Sequence, residues 1–326
     1  MRGLFLAALI LAAEPLHADE LGVALDWTPN TNHVGLYVAQ AKGWYQDAGL
    51  DVRILPYTDT SSGTLVANGV AAFGVLSSIG YYTQRAAGAD LLATYAVVQH
   101  ETGRLAVSAG RGDIRTPADL DGKTYAGFGS AWEAALISTI IRAAGGRGEF
   151  ETVTLGTSAY EALANHAADF TLEVETWEGV DAALQGRPLR AFRYADYGVP
   201  DQHTTLIGAR ETWLAAHPDT ARAFLAATQR GYAYAAEHPD EAADILTGAT
   251  AGMLANVALV RASMAALVEG HYLKGEDGAV GTIDPAKVEA MGGFLFDAGI
   301  LQDGDGTILA TKPDFGTWFT NEYLPG

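Results

Sequence analysis

Two hydrophobic periods alternate along the chain. Residues 51–55 put Val52 and Ile54 on one side of an extended segment, and short apolar runs at 21–25, 72–76, 91–98, 105–108, 124–128, 153–155 and 170–174 have strand length. Between them, residues 33–42, 64–68, 77–87, 131–144 and 158–165 carry apolar residues at helical spacing, with Gly43, Gly69, Gly88 and Gly145 where those helices should stop. Thr116 followed by Pro117 has the form of a capped helix start. Beyond Glu211 the pattern predicts helices over 218–237, 239–246, 254–269 and 285–298. Short strands alternating with helices imply an α/β fold whose parallel-rich sheets are wound by crossover connections.

Length changes the picture next. A chain of 326 residues exceeds what one hydrophobic core usually organises, so two lobes are expected. No low-complexity linker and no internal repeat separates them, which suggests that the chain crosses between lobes more than once. The apolar pieces at 105–108 and 204–209 are the expected crossings, giving lobe one as 19–106 plus 206–326 and lobe two as 107–205. At the start, Arg2 precedes an apolar run over 4–13, Glu14-Pro15 breaks it, and Leu16-His17-Ala18 ends on a small residue. That order reads as a secretory leader, 1–18, cleaved near Ala18 with Asp19 next. The run is too short for a membrane span, which needs roughly 20 apolar residues.

Composition then narrows the chemistry. There is no cysteine, so disulfides, thiolate metal sites, a cysteine nucleophile and a lipidated-cysteine anchor are all excluded. A protein free in a periplasm fits this best. The net charge of −19 disfavours nucleic acid, because phosphate binding needs Lys and Arg to displace counterions. His33, His100, His166 and His203 are scattered without metal-ligand spacing, so no metal, cofactor or catalytic centre is expected.

The run Leu25-Asp26-Trp27-Thr28-Pro29-Asn30-Thr31-Asn32-His33, with Gly35-Leu36-Tyr37-Val38-Ala39 and Lys42-Gly43-Trp44-Tyr45 after it, resembles the start of the thiamine-pyrimidine-precursor family of substrate-binding proteins. Gly49-Leu50-Asp51-Val52, Asn68–Val75, Asp119–Lys123, Trp177-Glu178-Gly179-Val180 and Tyr197-Gly198-Val199-Pro200 extend the resemblance. The wider superfamily holds receptors for sulfonates and riboflavin as well as eukaryotic pyrimidine synthases. What the resemblance implies is a type II periplasmic-binding-protein fold: two lobes hinge shut on a small heterocycle and a monomer delivers it to an ABC permease. A formylaminopyrimidine is the first expectation for the ligand, riboflavin the second. A synthase-like enzyme is disfavoured, since those relatives carry a cysteine-rich motif absent from this chain.

A flat, nitrogen-rich ring needs aromatic faces to stack on and carboxylates or amides to read its edge. Trp27, Asn30, Asn32 and His33 follow the first strand, where open α/β sheets bind ligands; core packing for Trp27 and helix capping for the asparagines are the structural alternatives. In Glu173–Glu178, a continued strand would set Glu173 and Glu175 on one face, with Trp177 and Glu178 beside them. Which of Glu173, Glu175 and Glu178 faces the cleft stays open, as does a merely solvated acidic loop. Gly129, Ser130 and Glu133, at a strand–helix junction, offer either backbone N–H groups to a ligand or a capping box. Ser77 and Ser78 invite the same two readings. Tyr197, with Tyr81 and Tyr82, is a further aromatic candidate, or lobe packing.

Overall fold

The computed structural model describes residues 20–275 and 277–325; the expected leader lies outside them. One sheet contains β1 (Glu20–Ala24), β2 (Asp51–Leu55), β3 (Phe73–Ser77), β4 (Leu92–Ala96) and β10 (Thr205–Ala209). Its order is β2-β1-β3-β10-β4. The other contains β5 (Gly103–Ser108), β6 (Thr124–Gly127), β7 (Glu151–Thr154), β8 (Phe170–Val174) and β9 (Leu189–Arg193), in the order β7-β6-β8-β5-β9. Each sheet has a parallel trio and one antiparallel insert: β10 runs against β3 and β4, and β5 against β8 and β9. The inserts are the two strands on which the chain arrives from the other lobe, so their reversed direction follows from the crossing itself. The sequence pattern, blind to strand direction, predicted the parallel parts and not these inserts.

Both inserts bear on the expected lobe boundaries. All of β5, from Gly103 on, pairs inside the second sheet, and β10 pairs inside the first from Thr205 on. The chain therefore crosses at 97–102 and again just before Thr205, so the expected boundary at 106/107 is corrected to before Gly103. A strand cannot be divided between lobes when every ladder bond it makes goes to one sheet.

Twelve helices, among the described residues, cover the sheets: α1 (Val34–Ala41), α2 (Trp44–Asp47), α3 (Ser62–Ala67), α4 (Ser78–Ala86), α5 (Ala131–Ala143), α6 (Ala159–Ala164), α7 (Val180–Leu184), α8 (Glu211–Ala216), α9 (Pro218–Glu237), α10 (Pro239–Ala249), α11 (Val257–Glu269) and α12 (Pro285–Asp297). None is long and apolar enough to cross a membrane. In lobe one, α1 and α9 meet at two glycines. A Cβ on Gly35 would strike the Tyr232 ring, and one on Gly231 would strike the Gly35 carbonyl. This close approach seats α1 against the sheet, and with it the turn at Asn30–His33. Phe224 stacks on Phe73 at 4.2 Å and on Tyr45 at 5.5 Å, filling the space beneath.

One local prediction fails in an informative way. Strand β8 ends at Val174, and Glu175–Gly179 form a π-helical turn that feeds α7. Glu175 therefore does not share a strand face with Glu173.

Gly231→Ala is expected to destabilise the protein by about 1–3 kcal/mol, because the added methyl must push two helices apart. Urea unfolding checks this, and an unchanged midpoint would contradict the close packing.

Candidate functional site

The C-terminal ends of β1, β2 and β3 face those of β6, β7 and β8 across a cleft between the lobes. Two cavities open there, of about 500 and 560 Å³, and both are lined by Tyr160 and Thr171. The first runs from Ser77 and Ser78 in lobe one, past the crossing segments at Glu101–Gly103 and Gln202–Thr204, to Tyr125, Glu133 and Glu173 in lobe two. The second touches lobe one only at Trp27 and Leu259 and runs within lobe two from Trp177 and Glu178, between α6 and α7, to Ser108, His166 and Leu189.

Three buried polar atoms that line the first cavity have no hydrogen-bond partner among the described residues: Glu173 Oε2, Thr204 Oγ1 and the Tyr125 hydroxyl. Tyr125 has the Glu133 carboxyl as a neighbour, but without a hydrogen bond of good geometry. An orphaned buried polar atom costs about 1–3 kcal/mol, so three around one cavity mark the place where a ligand or water is to be bound. Glu173 is held from one side: Arg104 donates from Nε to Oε1 at 2.8 Å, and Oε2 is left over. Burial raises its pKa, with the Arg104 charge acting against that. Glu178 lies beside the Tyr160 hydroxyl and accepts from the Val174 N–H at 3.1 Å; burial pushes it up to about 7.

The other sequence candidates divide by what their polar atoms already do. Asn30 Oδ1 accepts from the Asn32 N–H at 2.9 Å, and its Nδ2 donates to the Thr28 carbonyl at 3.1 Å. His33 is fully buried. Its Nδ1 accepts from the Asn30 N–H, which assigns the proton to Nε2, 2.9 Å from Asp26. Both residues thus shape the loop that carries Trp27. Asn32, half-buried, gives its carbonyl to the Tyr232 hydroxyl, while its side-chain amide makes no hydrogen bond among the described residues. Ser130 and Glu133 form the capping box of α5, and the Glu133 carboxylate accepts from the Phe128 and Ser130 N–H groups. Gly129, exposed at φ +74°, lets that loop turn. Ser77 caps α4, and Ser78 donates to Gln202 at 2.7 Å. Glu175 bridges the lobes, accepting from the Tyr272 hydroxyl at 3.1 Å. Trp177 packs against the lobe-one core. Tyr197 sits edge-on to Phe192 in the lobe-two core and lines neither cavity.

Sequence reasoning did not single out Glu101, Arg104, Tyr125, Phe128, Tyr160 or Thr204. Phe128, flanked by glycines at a strand end, was the most legible of these.

The crossing segments are joined by a polar network. Gln202 Nε2 donates to Glu101 Oε2 at 2.6 Å, and the Gly103 N–H donates to Oε1 at 2.6 Å. Asp201 accepts from the Glu101 N–H at 2.8 Å and from Lys287 at 2.6 Å, with His100 Nδ1 also 2.8 Å away. Burial pushes the Glu101 carboxyl up to about 7 against those hydrogen bonds.

Two lobes wound this way around a polar cleft define a ligand-binding protein of the periplasmic-binding-protein type. In shape it is similar to the periplasmic aliphatic sulphonate binding protein SsuA from Escherichia coli, with a TM-score of 0.67, 17% identity, and 92% of this chain and 91% of that one covered. The nitrate-binding protein NrtA from Synechocystis PCC 6803 aligns with a TM-score of 0.62 at 15% identity over 94% and 87% of the chains. The chain belongs to the NMT1/THI5-like family, whose model matches residues 30–242. It is 29% identical over 235 residues to the formylaminopyrimidine-binding protein of Halalkalibacterium halodurans, covering 70% of each. A 4-amino-5-hydroxymethyl-2-methylpyrimidine phosphate synthase of Saccharomyces cerevisiae, THI5, is 24% identical over 239 residues, again 70% of each.

Glu101 gives a pH prediction. With a folded-state pKa near 7 against an ordinary 4.5, the fold favours the protonated carboxyl. That contribution is fully present below about 4.5 and is lost as pH rises through about 7. Across this window the melting temperature of the wild type should fall relative to that of Glu101→Gln, measured by calorimetry at four or more pH values; parallel curves would remove Glu101 from the titration.

Proposed function

We infer that this protein is the extracytoplasmic substrate-binding component of an ABC importer, and that it captures a formylaminopyrimidine-type thiamine precursor between its lobes. The observation that carries the ligand class is the unpartnered Oε2 of Glu173, a residue that lines the first cavity together with Thr204 and Tyr125, whose hydroxyls are also unpartnered. An aminopyrimidine with its ring nitrogen protonated offers two donors side by side, the exocyclic amine and the ring N–H, and a carboxylate accepts from such donors in charge-assisted hydrogen bonds. Asn32 and Trp27 in lobe one, and Trp177 and Glu178 in lobe two, complete the proposed site.

Electrostatics argues against an anionic ligand despite the fold shared with sulphonate and nitrate receptors. Arg104 lies beside the cleft, but its guanidinium is engaged by Glu173 at 2.5 Å and by Glu175 at 3.2 Å. Glu133 and Glu173 line the first cavity and Glu178 the second, so carboxyl groups are prominent in both walls. A sulfonate entering there would meet carboxylates before any free cation.

A binding role, as opposed to the synthase role named for the yeast relative, is supported by the likeness to the formylaminopyrimidine-binding protein and by the chain's lack of cysteine. The leader proposed at 1–18 and the periplasmic names of the structural neighbours support export, and delivery as a monomer to a permease follows from that role.

The test is a thermal-shift and calorimetric comparison of formylaminopyrimidine, riboflavin and small sulfonates. Formylaminopyrimidine should raise the melting temperature by mass action, and no turnover should accompany binding. Glu173→Gln should weaken its affinity by about tenfold or more, since a charge-assisted bond becomes a neutral one. A shift with a sulfonate and none with the pyrimidine would overturn the ligand assignment. Mass spectrometry of the exported protein should find a chain beginning near Asp19.

A further inference from the structure

Three aromatic rings stand at the mouth of the cleft. Trp27 and Tyr57 belong to lobe one, with ring centroids 5.2 Å apart. Phe128 belongs to lobe two and meets Trp27 edge to face at 6.5 Å. All three are large apolar side chains with substantial exposure: 40% for Trp27, 38% for Tyr57 and 53% for Phe128. Exposed apolar rings that meet across two lobes form a contiguous patch, the kind of surface that marks an interaction site.

Both loops that carry the rings are braced. The Trp27 loop is tied by Asn30 and by the His33–Asp26 pair. On the other side, the Glu133 carboxylate accepts from the N–H groups on either side of Gly129, those of Phe128 and Ser130. Gly127 has no room for a Cβ, which would run into the Tyr125 hydroxyl, and Gly129 stands at φ +74°. Phe128 is thus presented toward lobe one between two glycines, one kept by crowding against Tyr125 and the other by its left-handed backbone.

The spacing decides what the rings do. A heterocycle sandwiched between two aromatic faces needs them roughly 7 Å apart, twice a contact distance of about 3.5 Å. The Trp27–Phe128 contact at 6.5 Å, edge to face, leaves no such slot. We propose that Trp27, Tyr57 and Phe128 form a cross-cleft aromatic clasp that closes over the ligand and sets its rate of escape, with Phe128 as the lobe-two half. The clasp rests on the reading of the cleft as a ligand site, but it acts on lobe closure itself. An aromatic pair of this kind is worth about two- to twelvefold in an equilibrium constant. That gain exists in the closed arrangement alone, so it shifts the open–closed population and slows dissociation while leaving association nearly unchanged.

The experiment has two readouts. Because the chain has no cysteine, spin labels placed through Asp219→Cys in lobe one and Arg147→Cys in lobe two report the distance between lobes without competing sites. In ligand-free protein, Phe128→Ala should move the distance distribution toward the open form, and Phe128→Leu should recover part of the loss. With formylaminopyrimidine as the probe, Phe128→Ala should raise the dissociation rate about two- to twelvefold with the association rate unchanged within about twofold. Trp27→Ala combined with Phe128→Ala should dissociate no faster than Trp27→Ala alone, since the pair shares one contact. An unaltered distance distribution together with an unaltered dissociation rate would overturn the clasp, and so would fully additive effects, which would mean that Trp27 stacks on the ligand independently. If formylaminopyrimidine does not bind the wild type, the ligand assignment falls while the distance measurement still decides the clasp.

Discussion

The cleft exists because two short stretches of chain, 97–102 and the residues just before Thr205, are bound to each other between the lobes. Their link is polar: Glu101 takes hydrogen bonds from Gln202 and from its own neighbour Gly103, and Asp201 answers by taking the Glu101 N–H. Lys287 neutralises Asp201 and also donates to the Gln99 carbonyl at 2.6 Å. An apolar joint would hold the segments by area and resist sliding little; a network of directional bonds fixes their register. Each lobe is built outward from this joint, since β5 and β10 are the strands that leave it. Ser78, at the start of α4, is tied into the same network through Gln202, so one wall of the cleft is referenced directly to the joint.

From that joint the acidic residues of lobe two take up different tasks. Glu133 is consumed by the cap of α5, where two backbone donors use both of its oxygens. Glu175 is exposed enough to reach across and accept from Tyr272, which favours the closed arrangement. Glu173, on the strand itself, has one oxygen bound and one free. A cluster that looks uniform in composition is therefore divided by the point at which β8 stops. The π-helical turn at Glu175–Gly179 sends Glu175 outward and returns Glu178 to the Val174 N–H. Gly179 is required at the end of this turn, because a Cβ there would press on the Arg104–Glu173 pair.

Much of the fold could be read in the sequence because period and stop signals are local. Val52 and Ile54 announced β2, and the paired glycines at 145–146 marked the end of α5. Strand β9 was missed: in Leu189-Arg190-Ala191-Phe192-Arg193 arginines break the apolar run, and Arg190 turns out to donate to backbone carbonyls of the lobe-two loop. The antiparallel direction of β5 and β10 is set by the path between lobes, which no local pattern records. For the site, residue types were legible but atom-level commitments were not. Asn30 and His33 carry the same letters whether they face a ligand or cap a turn, and their hydrogen bonds are what separates the two. Contacts between lobes, such as Trp27 with Phe128 or Glu175 with Tyr272, depend on closure and leave no spacing in the chain.

The same division explains how one architecture serves ligands of opposite charge. The sheets, the crossings and the helix-capping residues are needed to build and hinge the lobes, and they place no demand on the ligand. What selects it is the balance of charge at the ends of β6 and β8, where Arg104 is the nearby cation. With its guanidinium shared between Glu173 and Glu175, the surplus is negative, and a group that donates hydrogen bonds is favoured. Were a neutral residue to stand at Glu173, Arg104 would lose its closest partner and keep only the Glu175 contact at 3.2 Å. The charge balance at this edge of the second sheet thus turns on whether the half-buried Arg104 guanidinium is already paired.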